Sequence, residues 1–152
     1  LHENPNELRN IANALGTQAV LASLPIAKDH NGNVGWYCYR TNSFVDPCQN
    51  LRSLIDDNVV SELIVIDKEN EGSPNQFDFD LLPFVKDFNI PLILFGGISE
   101  PAQLEKAFSN SQVSAAALGN FLNYKEHAVQ KYKEQLSSAP IRPPFYHSRS
   151  VI

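Results

Sequence analysis

Apolar positions along the chain follow two alternating rhythms, one helical and one of short continuous runs. Leu8, Ile11, Ala12 and Leu15 recur at helical spacing behind Asn4-Pro5-Asn6-Glu7, which predicts a helix to about Leu15 ended by Gly16. Ala19 to Leu24 is an unbroken apolar run, read as a buried strand that Pro25 stops. Asp29-His30-Asn31-Gly32-Asn33 signals a hairpin, because Asn-Gly readily takes positive φ, and Trp36-Tyr37-Cys38-Tyr39 forms its returning strand. Pro47 to about Asn58 reads as a helix with Leu51, Leu54 and Ile55 on one face. A strand from Glu62 to Ile66 follows, then a polar loop from Asp67 to Gln76, and a helix from Asp78 to Phe88. The pattern then gives a strand from Pro91, a helix over Pro101 to Ser109, a strand over Val113 to Leu118 and a helix over Lys125 to Leu136. The proline density of Pro140 to Phe145 excludes regular helix and predicts an extended tail.

This order predicts an α/β fold of about four βα units of parallel sheet, with a hairpin inserted after the first strand. A complete (β/α)8 barrel needs about 200 residues or more. The 152 residues here therefore predict either an open α/β layer or half a barrel, whose two unpaired sheet edges demand a partner. Residues 1–138 form the expected domain and 139–152 the extended tail.

At 43% hydrophobic, the chain has enough apolar surface for a single core. The net charge of −5 and the lack of any Lys/Arg cluster argue against a nucleic-acid surface. No apolar run is long enough to span a membrane, and no signal peptide is visible. Cys38 and Cys48 are too few for a disulfide framework and lack metal-ligand spacing, which predicts a reducing, cytoplasmic setting. His2, His30, His127 and His147 are scattered, so no metal site and no cofactor is expected.

The most informative stretch is Pro91-Leu92-Ile93-Leu94-Phe95-Gly96-Gly97-Ile98-Ser99. An apolar strand breaks into paired glycines and a helix begins. Glycines there let backbone N–H groups approach a ligand, and the helix start offers unpaired donors that suit a phosphate. Ser99 is placed to cap that helix, with Glu100-Pro101 in its first turn. A weaker copy follows, in which Val113 to Leu118 runs into Gly119-Asn120. Two adjacent parallel strands ending in such turns can hold one phosphate between them, whereas either turn alone is equally a plain strand-to-helix connection. Trp36, Tyr37 and Tyr39 can stack a sugar ring or simply fill a strand face. Arg142 and Arg149 in the tail can reach a phosphate or a neighbouring chain, or lie on the surface.

The chain resembles the cyclase subunit of imidazole glycerol phosphate synthase, over the second half of that barrel. The resemblance runs from Glu3-Asn4-Pro5 through Gly16-Thr17-Gln18-Ala19-Val20, Ile66-Asp67, Gly96-Gly97-Ile98 and Ala117-Leu118-Gly119-Asn120-Phe121. It implies a (β/α)8 lyase of histidine biosynthesis that takes ammonia from a glutamine amidotransferase (glutaminase) subunit. That lyase closes an imidazole ring on a bis-phosphorylated ribulosyl substrate. A branch of the family serves surface-polysaccharide biosynthesis, delivering ammonia to a sugar amidotransferase. Carried over by position, the resemblance implies that Gly96, Gly97, Gly119 and Asn120 line a phosphate site, with Phe95 where the family has a small hydroxyl residue. It implies a catalytic carboxylate at Glu69, within Asp67-Lys68-Glu69 where the family reads Ile-Asp-Arg-Asp-Gly, while Asp67 and Glu69 together read either as a catalytic carboxylate pair or as ordinary solvated loop acids. The family's other catalytic aspartate aligns with Pro25, which has no titratable group. Tyr39-Arg40-Thr41-Asn42 replaces a family His-Ser-Gly-Thr stretch, and Glu62 falls near a glutamate that gates the ammonia entrance.

Three function classes follow. One is a cyclase-type lyase, or its C-terminal half, acting on a phosphorylated sugar-type molecule. A second is a catalytically reduced subunit that conducts ammonia or scaffolds a sugar-modifying complex. The third is a phosphate-binding half-barrel without chemistry, its edges covered by an N-terminal half-barrel or by a second copy.

Overall fold

The computed structural model describes residues 4–144 apart from 47, 125 and 137. The expectations for His2, Phe145, His147 and Arg149, and for helix boundaries at Pro47 and Lys125, lie outside the described residues. The elements are α1 (Pro5–Leu15), β1 (Leu21–Lys28), β2 (Val34–Cys38), β3 (Ser43–Val45), α2 (Cys48–Asp56) and β4 (Glu62–Asp67), then β5 (Leu92–Phe95), α3 (Pro101–Phe108), β6 (Val113–Ala116) and α4 (Ala128–Gln135). They build one six-stranded sheet in the order β3-β2-β1-β4-β5-β6. β1, β4, β5 and β6 run parallel, while β2 and β3 add an antiparallel ribbon on the β1 side. This is the mixed α/β sheet expected from the sequence, and it is compatible with half of a barrel.

Local chemistry explains the boundaries. Asn4 caps α1 by accepting from the Glu7 amide (3.2 Å), Pro5 opens it, and Gly16 ends it at φ 89°. The Asp29 side chain accepts from the Asn31 and Asn33 amides (2.8 and 2.9 Å), and Gly32 takes φ 83°, which closes the expected hairpin. Four expectations need correction. β1 continues through Pro25 instead of stopping there. The Ile26 carbonyl accepts from the Lys68 amide on the β4 side (3.0 Å), so Pro25 faces the opposite edge, where pairing with β2 begins only at Ile26. A third ribbon strand, β3, follows a turn with Asn42 at φ 51°. The segment expected as a helix over 78–88 is instead a 3₁₀ helix, Phe79–Phe84, because Pro83 has no N–H for an α-helical bond. α4 begins at Ala128, because His127 sits in the left-handed region (φ 56°) after a separate 3₁₀ segment, Asn120–Tyr124.

The two faces of the parallel sheet differ. Ala22, Leu24, Ile26, Leu63, Val65, Leu92, Leu94 and Val113 share one face and pack with Ala12, Leu51, Leu54, Leu104 and Ala107 in the core. The opposite face carries Leu21, Ile64, Ile66, Ile93 and Phe95, which are only half-buried or, in the case of Leu21, 44% exposed. Along β1, Leu21 to Pro25 has a strand partner only on the β4 side among the described residues.

Candidate functional site

The turn after β5 is built on glycine. Gly96 and Gly97 both take positive φ, 99° and 79°. A Cβ on Gly96 would stand 2.6 Å from the Asp67 carbonyl oxygen, and one on Gly97 would stand 2.8 Å from the Phe77 nitrogen. Both positions therefore require glycine for space as well as for backbone angle. The loop after β4 closes over this turn, with the Gly97 carbonyl accepting from the amides of Gln76 and Phe77 (3.0 and 3.3 Å) and from Gln103 Nε2 (3.3 Å). Gln103 Oε1 accepts in return from the amides of Ser99 (2.8 Å) and Glu100 (3.2 Å). The helix cap is thus Glu100 with Gln103, not Ser99 as expected.

Gly119 and Asn120 follow β6 and meet the β5 turn across a cavity of about 270 Å³. All four residues expected at a phosphate site line it, together with Phe95, Ser99 and residues 71–74 of the loop after β4. Among the described residues, no lysine or arginine lines it. The cavity opens beyond the C-terminal ends of parallel strands, where α/β sheets place ligands. Glu71 and Ser73 escaped the sequence reading, and the long polar loop that carries them was the only available signal.

The two carboxylates expected to act together occupy different surroundings. Asp67 ends β4 at 1% exposure, on the core side of the sheet. Its Oδ2 accepts from Asn70 Nδ2 and the Asp78 amide (both 2.8 Å), and its Oδ1 from the Asn70 amide (3.2 Å). Glu69 is exposed and pairs with Lys68 Nζ at 2.6 Å. That hydrogen bond, less a smaller burial effect, raises the Lys68 ammonium above its ordinary range. Lys68 also lies 4.3 Å from the centroid of the Tyr37 ring. The Tyr39 hydroxyl is pushed up, by burial first and then by the charge of Glu71, to which it hydrogen-bonds. Pro25 is buried in β1 opposite Ile66 and offers no titratable group.

The remaining candidates resolve simply. Trp36 is buried in the core, whereas Tyr37 and Tyr39 stand edge to face, 5.6 Å apart, on the other side of the ribbon. Glu62 lies at the far end of β4 and accepts from Ser114 Oγ (3.2 Å). His30, His127 and Arg142 are exposed. Among the described residues, no group of three or more His, Cys, Asp or Glu side chains is placed to hold a metal ion. Nor is any helix long and apolar enough to cross a membrane.

Comparison with known proteins adds a family to this geometry. The histidine biosynthesis protein family matches residues 1–128. The imidazole glycerol phosphate synthase subunit HisF of Prochlorococcus marinus is 26% identical over 139 residues, covering 88% of this chain and 54% of the relative. Its counterpart from a Synechococcus species is 26% identical over 148 residues, covering 92% and 58%. The Lactococcus lactis subunit is 26% identical over 144 residues, covering 88% and 53%. The chain spans about half the length of these curated relatives.

Proposed function

Because the chain belongs to the histidine biosynthesis protein family, we propose that residues 1–138 act as the C-terminal half of a cyclase-type (β/α)8 barrel. In this reading the barrel is that of an imidazole glycerol phosphate synthase, performing ammonia-dependent ring closure on a bis-phosphorylated ribulosyl substrate. The observation that carries it is the shared cavity of Gly96, Gly97, Gly119 and Asn120. A phosphoryl group suits such a place, where two adjacent parallel strands end in glycine-containing turns.

The half-buried apolar sheet face and the open edge of β1 support a missing second half, supplied by an N-terminal half-barrel or a second copy of the chain. A glutamine amidotransferase subunit is the proposed source of ammonia, and residues 139–152 are the proposed C-terminal tail, of which Ala139 and Ile141 still pack against the core. Asp67 and Glu69 are the carboxylates of this reading. Glu69, exposed beside Lys68, is the carboxylate this reading assigns to proton transfer, and Asp67 is the buried neighbour that fixes its loop.

Pro25 favours a second reading. A position that carries a catalytic aspartate in the resemblance is here a buried proline, which removes one member of an acid–base pair worth about 10²–10⁴-fold. In this reading the chain is a catalytically reduced subunit that conducts ammonia or scaffolds a sugar amidotransferase of surface-polysaccharide synthesis, or a phosphate-binding half-barrel alone.

Calorimetric titration with a ribulosyl bis-phosphate analogue tests the cavity, comparing wild type with Gly119→Asp. Gly119 has open space around its Cβ position, so the variant adds a negative charge without a collision. Saturable binding by wild type, weakened at least tenfold in the variant, is the expected result. Folded wild type that binds nothing overturns the phosphate reading, and ammonium-dependent turnover separates the cyclase from its reduced form.

A further inference from the structure

Ser99 is held on every side except through its own hydroxyl. Its amide donates to Gln103 Oε1 (2.8 Å), and its carbonyl accepts from the Tyr132 hydroxyl (2.6 Å) on α4. The residue is 4% exposed, yet Ser99 Oγ is buried without a hydrogen-bond partner. Native proteins seldom leave a buried hydroxyl unsatisfied, and such a group calls for an explanation. Capping of α3 is not that explanation, because Glu100 and Gln103 already perform it. A packing role alone would be served by alanine, which carries no polar atom to desolvate. Ser99 also lines the cavity, between the glycines of the β5 turn and the first turn of α3.

We propose that Ser99 is a ligand-contacting residue whose hydroxyl donates to a phosphoryl oxygen seated in this cavity. The proposal rests on the phosphate reading above and adds to it a side chain absent from the sequence-derived site. Among the described residues no lysine or arginine lines the wall, so what they offer a phosphoryl group there is neutral donors such as backbone N–H groups and this hydroxyl. A site of few donors is sensitive to losing any one of them. The rigid backbone of Ser99 presents the hydroxyl at little further entropic cost, since the turn is already fixed by α3 and α4.

The test is a titration of the folded chain with inorganic phosphate followed by heteronuclear NMR, on wild type, Ser99→Ala and Gly119→Asp. A hydrogen bond to an ionised acceptor predicts a loss of about tenfold or more in affinity for Ser99→Ala. The same variant is expected to melt at or above the wild-type temperature, because it removes a buried group that has no partner. Unchanged affinity in Ser99→Ala, while Gly119→Asp abolishes binding, overturns the role of Ser99 and leaves the phosphate site standing. An Ser99→Ala variant that loses affinity only together with thermal stability also overturns it, since that marks a structural residue. Folded wild type that does not bind phosphate overturns both readings at once.

Discussion

The turns after β5 and β6 line one cavity, yet glycine does different work in each. Gly96 and Gly97 sit at positive φ with backbone atoms of Asp67, Asn70 and Phe77 where a side chain would begin. Gly119 has nothing within 4 Å of its Cβ position and an ordinary φ. The first turn is a joint between two loops, locked by the Gly97 carbonyl and by Asp67. The second leaves open space at the mouth. Two similar strand-to-helix signals thus separate into a structural element and a permissive one, and substitutions should divide along the same line.

The largest effect is expected at Gly97→Ala, which combines a left-handed backbone with contacts of 2.8 Å to Phe77 nitrogen and 3.0 Å to Asn70 oxygen. It should destabilise the fold by about 3 kcal/mol or more in urea titration, and a loss under about 1 kcal/mol would erase the contrast between the turns. Asp67→Ala comes next. It strands the Asn70 amide, Asn70 Nδ2 and the Asp78 amide without their acceptor, at a cost of about 2–3 kcal/mol. Hydrogen exchange in residues 68–78 should accelerate in that variant while the β6 turn stays protected.

A smaller effect belongs to the ion pair that ties the same loop to β1. Lys28 Nζ lies 2.5 Å from Asp78 Oδ2 and holds the Asp78 carboxyl below its ordinary range, against a lesser opposing effect of burial. A depressed folded-state value contributes stability above the ordinary aspartate range, and that contribution is lost as pH falls through it toward the folded value. Asp78→Asn should therefore cost about 1 kcal/mol or less at neutral pH and flatten the loss of stability below about pH 4. The half-exposed setting of the pair keeps the effect small. Smallest of all is Gly119→Ala, expected within about 0.5 kcal/mol of wild type. A large loss there would show that the second turn is also a joint.

The contrast between Asp67 and Glu69 follows the same division. Adjacent in a polar loop signal, they read alike in sequence. In the fold one is sealed beneath its loop by three donors, and the other points to solvent beside Lys68. Only the second is exposed, and its partner is a neighbouring lysine rather than the amides of its own loop.

Much was legible in the residues themselves. Strand and helix order, the Asn-Gly hairpin, the Pro5 start and Gly16 end of α1, and the glycine turn after β5 are local effects of periodicity, φ preference and missing amide hydrogens. These act within a few residues, so sequence carries them whole. What tertiary structure alone decided was pairing and burial. Whether Pro25 ends a strand depends on which edge its absent N–H faces, and that edge is set by the distant strands β4 and β2. Whether Ser99 caps a helix depends on Gln103 reaching back first, and its carbonyl is tied to α4 by the Tyr132 hydroxyl, a partner 33 residues away. The cavity itself gathers residues from three loops after β4, β5 and β6. Its composition is a property of parallel strands lying side by side, and no stretch of sequence contains it.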